Sequence, residues 1–142
     1  MPLMKSWVTS ANDADHPFPL NNLPYGVFST ADSDPRCGVA IGDMILDMQA
    51  AEQQGLIDLA DVALFELPFW NDLMEEGPAV WTALRNRLTA LLADGSADQD
   101  KLQPLLVPMD QAEMHMPFMV SEYTDFYASK EHATNVGTMF RD

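Results

Sequence analysis

The stretch "RCGVAIGDMILDM", residues 36–48, decides how the chain folds. Cys37, Val39 and Ile41 alternate with smaller residues, Gly42-Asp43 makes a turn, and Met44, Leu46 and Met48 alternate on the return. Two alternating runs joined by a Gly-Asp pair predict a β-hairpin. Its glycines permit the tight curvature of a small barrel. Just upstream, "LNNLPYGVFST" (20–30) is a β-prone run broken by Pro24 and Gly26, which suits an edge or bent strand.

Downstream the period changes. Asp47 can cap a short helix over "MQAAEQQ" (48–54), with Gly55 ending it, and Asn71 can cap another over "DLMEE" (72–76) before Gly77. Pro78 opens a longer helix, where Val80, Trp81, Leu84, Leu88, Leu91 and Leu92 recur at helical spacing. Arg85, Asn86, Arg87 and Thr89 fall on its other side, and Gly95 is a natural stop. "GSADQDK" (95–101) reads as a polar loop, and "LQPLLVPMD" (102–110) as a short, proline-bounded strand. Residues 1–117 are therefore expected to form one small β-rich domain carrying helices. Residues 118–142, after Pro117, are expected to open a second.

The chain has 142 residues, 47% of them hydrophobic, which is enough for one domain with a proper core. No apolar run approaches the roughly 20 residues that a membrane span needs. Seven basic residues stand against 22 acidic ones, a formal net charge of −15. A surface so negative repels phosphate backbones and anionic membranes, so neither nucleic acid nor membrane is expected as a partner. The N-terminal stretch has no apolar core of a secretory signal, and Cys37 is the single cysteine. No intrachain disulfide is possible, and a reducing cytoplasm is the expected location.

Most single features read as structure. His16 is a solvated loop residue, Cys37 a small buried hydrophobe, and Trp7, Trp70 and Trp81 core anchors. Met109, Met114, His115, Met116 and Met119 would suit soft Cu(I), but with ten methionines in the chain they are expected to be core filler. The terminal stretch differs because several chemical types coincide there. Thr124 or Asp125 can cap a helix through "FYASKEHATNVGTMF" (126–140). Asp125 is a hard oxygen donor suited to Ca²⁺ or Mg²⁺, and the His132 imidazole is of the residue type that exchanges protons near neutral pH. Tyr127 and Arg141 are donors for an oxygen-rich anion. Chemistry alone leaves this set evenly balanced against a solvated helix end.

The string "YTDFYASKEHATNVGTMFR" (123–141) resembles the signature that opens the catalytic domain of the fumarylacetoacetase family. Upstream, "NLPYGVFS" (22–29), "GVAIGDMILD" (38–47) and "GPAVWTALRNRL" (77–88) resemble that family's N-terminal domain, so the likeness covers nearly the whole chain. It implies a mainly β fold with helices: a small SH3-like barrel over 1–117, then at 118–142 the truncated start of a mixed β-roll catalytic domain that holds the active site and the dimer contact. Matched position by position, the resemblance makes Asp125 a metal ligand, Tyr127 and Arg141 substrate-binding residues, and His132 the catalytic group that activates water. Lys130-Glu131 replaces an Arg-Gln pair of the animal members, at positions with no assigned catalytic role.

The implied function is cleavage of the carbon–carbon bond of 4-fumarylacetoacetate to fumarate and acetoacetate, ending tyrosine and phenylalanine breakdown. The substrate would be a small diketo acid, the cofactor Ca²⁺ or Mg²⁺, and the longer enzyme a homodimer. The remaining metal carboxylates, the carboxylate behind the histidine and the oxyanion donors would lie in residues beyond Asp142. This chain alone is then expected to be inactive. The other expectation is of a different class: a stand-alone protein-interaction or dimerisation module without catalysis.

Overall fold

A computed structural model describes residues 2–141; the outer limits of the two expected segments, Met1 and Asp142, lie outside the described residues. The hairpin forms as read. Strands β1 (Tyr25–Thr30), β2 (Ser33–Ile41) and β3 (Met44–Asp47) form an antiparallel meander. Gly42 turns β2 into β3 with a left-handed φ of 54°, while Asp43 stays at negative φ. Positive φ at the first central residue alone is the type II′ pattern, whose twist matches that of the flanking strands.

Short strands β4 (Leu106–Pro108) and β5 (Glu113–His115) then add to the two edges, giving the order β4-β3-β2-β1-β5. The sheet stays open and is not closed into a barrel: its two edge strands, β4 and β5, do not pair with each other. Each is only three residues long, and Pro104, Pro108 and Pro117 deny the N–H groups that would lengthen their ladders. Helices α1 (Met48–Gln53), α2 (Asn71–Glu76), α3 (Pro78–Leu92), α4 (Gln99–Leu102) and α5 (Lys130–Phe140) account for more residues than the strands do. The expected mainly β fold is thus corrected to a mixed one, and α4 occupies part of the segment read as a polar loop. Among the described residues no helix is long and apolar enough to cross a membrane.

One sheet face builds the core. Val27, Cys37, Val39, Ile41 and Leu46 are buried against Met48 and Ala51 of α1 and against Leu84, Leu88, Leu91 and Leu92 of α3. The alternation of residues 37–48 sets this face. On the other face, Phe28 and Ile45 share the space above Gly38, and the Arg36 guanidinium lies 4.3 Å from the Phe28 ring centre. A Cβ on Gly38 would stand 2.6 Å from both Ile45 and Phe28, so the glycine is there for room.

Capping follows the sequence at α1. The Asp47 carboxylate accepts the Ala50 N–H at 3.0 Å. At the other end, Gly55 N–H reaches the Glu52 carbonyl and Leu56 N–H the Ala51 carbonyl, a Schellman closure with Gly55 at φ 68°. Asn71 does not cap α2; it is the first helical residue, and its side chain serves another partner described below. Trp70 is the core anchor expected, its indole N–H donating to the Gly26 carbonyl at 2.8 Å and its ring stacked on Tyr25. Trp81 is not. It is 44% exposed, with its indole N–H on the Leu73 carbonyl at 2.7 Å. Arg85 and Arg87 spend their guanidinium groups on the carbonyls of Leu20, Asn21 and Leu56, tying loops to α3.

Candidate functional site

The chain leaves its core at Pro117, whose carbonyl accepts the Trp70 N–H at 3.0 Å. Two residues later, the Asn71 side-chain amide accepts the Met119 N–H at 2.9 Å and donates to the Met119 carbonyl at 3.2 Å. Among the described residues, every hydrogen bond made by residues 120–141 is internal to that segment. Met114, Met116 and Met119 are exposed, so the methionines of this region are not the core filler expected. His115 is held elsewhere, its Nε2 within 2.7 Å of the Ser29 hydroxyl across the β1–β5 edge. Met114 packs toward Gly26 instead, so the residues of the copper-like motif do not converge.

Residues 120–129 run without secondary structure to α5, which Ser129 caps. Its hydroxyl oxygen accepts the His132 N–H at 3.1 Å. The expected caps, Thr124 and Asp125, stand before the helix. All three are good capping residues, and the backbone, extended at Ser129 (φ −147°, ψ 164°), selects the last. A serine directly before a helix-forming run was the signal available in the sequence.

This turn brings three of the four expected site residues together. His132 Nε2 lies 3.7 Å from Asp125 Oδ1, within ion-pair range but longer than a hydrogen bond. The Tyr127 ring meets the imidazole edge-to-face, 5.4 Å between centres and 90° between planes. His132 is partly shielded, whereas Asp125 and Tyr127 are open to solvent. Arg141 follows the last turn of α5 as an exposed residue with no hydrogen bond or ion pair among the described residues. The group sets an imidazole between a carboxylate and a phenol ring. It does not make a cation site: among the described residues no three His, Cys, Asp or Glu side chains gather where a metal ion could sit.

The exposed surface around it is apolar as well as polar, with Tyr123 at 87%, Phe126 at 78% and Phe140 at 84% exposure. The apolar hollow nearest in the chain, about 370 Å³, is lined by Tyr25, Trp70, Leu73, Met74, Trp81, Pro117 and Phe118, and includes none of the four residues. Tyr25, part of its lining, has its phenol pKa raised by partial burial, an effect that the nearby Arg85 charge partly offsets.

A sequence model described as "Fumarylacetoacetase N-terminal" matches residues 21–117. The human fumarylacetoacetase is 42% identical over 144 residues, covering 96% of this chain and 34% of that protein. The Caenorhabditis elegans fumarylacetoacetase is 44% identical, over 97% of this chain and 34% of its own length, and the Arabidopsis thaliana one 39%, over 99% and 35%. The chain thus spans about a third of the length of the curated relatives it matches. With that match over most of its sheet and helices, this chain belongs to the fumarylacetoacetase family, through the family's N-terminal domain.

Proposed function

We propose that this chain is the N-terminal part of a hydrolase that cleaves 4-fumarylacetoacetate to fumarate and acetoacetate in the cytoplasm. Its longer form would be a homodimer, with 1–117 the family's N-terminal domain and 118–142 the opening of a β-roll catalytic domain. One observation carries the reading: Asp125 and Tyr127 close around the His132 imidazole in a chain whose relatives are fumarylacetoacetases.

In this reading His132 takes a proton from water as the oxygen attacks the carbonyl carbon, which requires the two within hydrogen-bond reach. The carbon–carbon bond then breaks, its electron pair going to the acetoacetate carbon, which is protonated. Tyr127 and Arg141 bind the anionic substrate through donor groups. A divalent cation would supply Lewis-acid stabilisation of the enolate when bound. Asp125 is one hard oxygen donor where Ca²⁺ takes about six to eight, so residues 2–141 alone do not fit that cation. Asp125 is proposed as one ligand, with the others from residues beyond this chain, and no step here is assigned to the ion.

The test is hydrolysis of 4-fumarylacetoacetate by the complete gene product, compared with the 142-residue chain. Turnover by the former and none by the latter is expected; no turnover by either removes the enzyme reading. The exposed Tyr123, Phe126 and Phe140 favour a second reading, a non-catalytic interaction or dimerisation module. Recovery of one stoichiometric partner by this chain, with no longer product of the gene in the cell, would establish that instead.

A further inference from the structure

We propose that Ser129 is a positioning residue for His132, fixing the imidazole by starting the helix that carries it. The inference rests on the hydrolase reading above. His132 is the third residue of α5, so its place depends on whether the first turn forms. Ser129 supplies both bonds at that turn: its hydroxyl oxygen accepts the His132 N–H, and its carbonyl accepts the Ala133 N–H, each at 3.1 Å. Among the described residues α5 buries none and residues 120–141 hydrogen-bond only among themselves, so no hydrogen bond ties this turn to the rest of the fold.

The partners of the imidazole lie on the far side of the cap. Asp125 and Tyr127 precede Ser129, and the extended backbone there sets how the incoming strand of chain faces the helix. The 3.7 Å approach of Asp125 and the 90° ring contact of Tyr127 are consequences of that corner. A cap of this kind orders the end of a marginal helix, and a general base is useful only when held in reach of its water.

Two substitutions test this. Ser129→Ala removes the acceptor, and Ser129→Thr keeps it without placing a new charge beside Asp125. In this chain, Cα chemical shifts over residues 130–140 read the helix; in the complete gene product, steady-state hydrolysis reads kcat and KM separately. Ser129→Ala should lower the helix equilibrium about fivefold. It should lower kcat by a similar factor with KM within about twofold, and Ser129→Thr should restore both helix and kcat. Lost helicity with unchanged kcat, or a change confined to KM, overturns the positioning role and leaves the hydrolase reading standing. Absence of turnover in the unsubstituted complete protein overturns both.

Discussion

Asp47 holds Arg36 with one carboxylate oxygen and the first turn of α1 with the other. Oδ2 accepts from Arg36 Nε on β2, while Oδ1 accepts the Ala50 N–H. Both side chains are largely buried, and Arg36 also covers the Phe28 ring. Removing the carboxylate takes the counter-charge from a largely buried guanidinium, leaving it the Ser33 hydroxyl and the Asp34 carbonyl, and uncaps α1 at the same time. Asp47→Ala should destabilise the fold by about 3 kcal/mol in urea titration. Arg36→Met, which keeps apolar cover over Phe28, should cost clearly less; equal losses would contradict this account.

Two glycines with similar positive φ separate conformational strain from collision. Gly42 (φ 54°) and Gly55 (φ 68°) both occupy the left-handed region. Around Gly55 a new Cβ meets nothing within 4 Å, whereas at Gly42 it would stand 2.2 Å from Ser10 Oγ and 2.7 Å from the Ala11 nitrogen. Gly55→Ala should therefore cost only the backbone penalty, about 1–2 kcal/mol. Gly42→Ala should cost about 2 kcal/mol more, because backbone has to move. Urea midpoints for the two variants would show the difference.

These features mark what the sequence discloses and what it hides. The hairpin over 36–48 is legible because alternation and a Gly-Asp turn are both local signals, and α3 because Pro78 and the leucine spacing are too. The openness of the sheet is not, since it depends on two three-residue edge strands whose partner residues lie 60 or more positions away in sequence. Asn71 carries a capping residue's signature yet spends its side chain on Met119, a partner that no local pattern names. The identities of Asp125, Tyr127 and His132 are readable from their motif. Their approach to one another is not, because it depends on which of Thr124, Asp125 and Ser129 caps α5.

Cys37 is buried, with its thiol against the Leu67 carbonyl. Burial first, then the charges of Asp72, Glu52 and Asp47, push its pKa up to about 12. The fold thus favours the neutral thiol. Its stabilising effect is complete below the unfolded value near 9 and is lost as pH rises toward about 12. At pH 8 the native thiol should react with iodoacetamide about a thousandfold more slowly than the unfolded chain. Rapid labelling of folded protein would show the burial to be wrong.

The lowered pKa of Asp98 carries the opposite sign. Its carboxyl is held below the usual value chiefly by the Lys101 ammonium, which donates at 2.9 Å, with Arg87 adding to the effect. The ionised form is favoured in the fold, so this contribution is present above the ordinary carboxylate value and is lost as pH falls through the lowered one. Asp98→Asn should lower stability slightly at neutral pH and leave it unchanged below the lowered value, so that the acid limb at about pH 4 flattens. An unaltered acid limb would show that the pair is spent on solvent.

The terminal helix should be loosely held in this chain. α5 has 11 residues, none of them buried, and isolated helices shorter than about 12–15 residues are marginal in water. Amides from Ala128 to Phe140 should exchange within about tenfold of the unprotected rate, while those of β2 and α3 exchange only on global opening. Strong protection of α5 in a monomeric sample would reveal contacts that this chain does not make.

The proposed division of roles between Asp125 and His132 makes the most direct functional prediction. In the complete gene product, His132→Ala should lower turnover by about 10²- to 10⁴-fold, the usual worth of a general base, and leave divalent-cation affinity nearly unchanged. Asp125→Ala should weaken cation binding first, with activity partly restored at high Ca²⁺ or Mg²⁺. The 3.7 Å between the two side chains sharpens the test, since a carboxylate that mainly orients the imidazole would behave differently. In that case Asp125→Ala would lower kcat without any rescue by metal, and isothermal titration would find cation affinity intact. Equal loss of metal in both variants, or hydrolysis by the 142-residue chain alone, would likewise reverse the assignment.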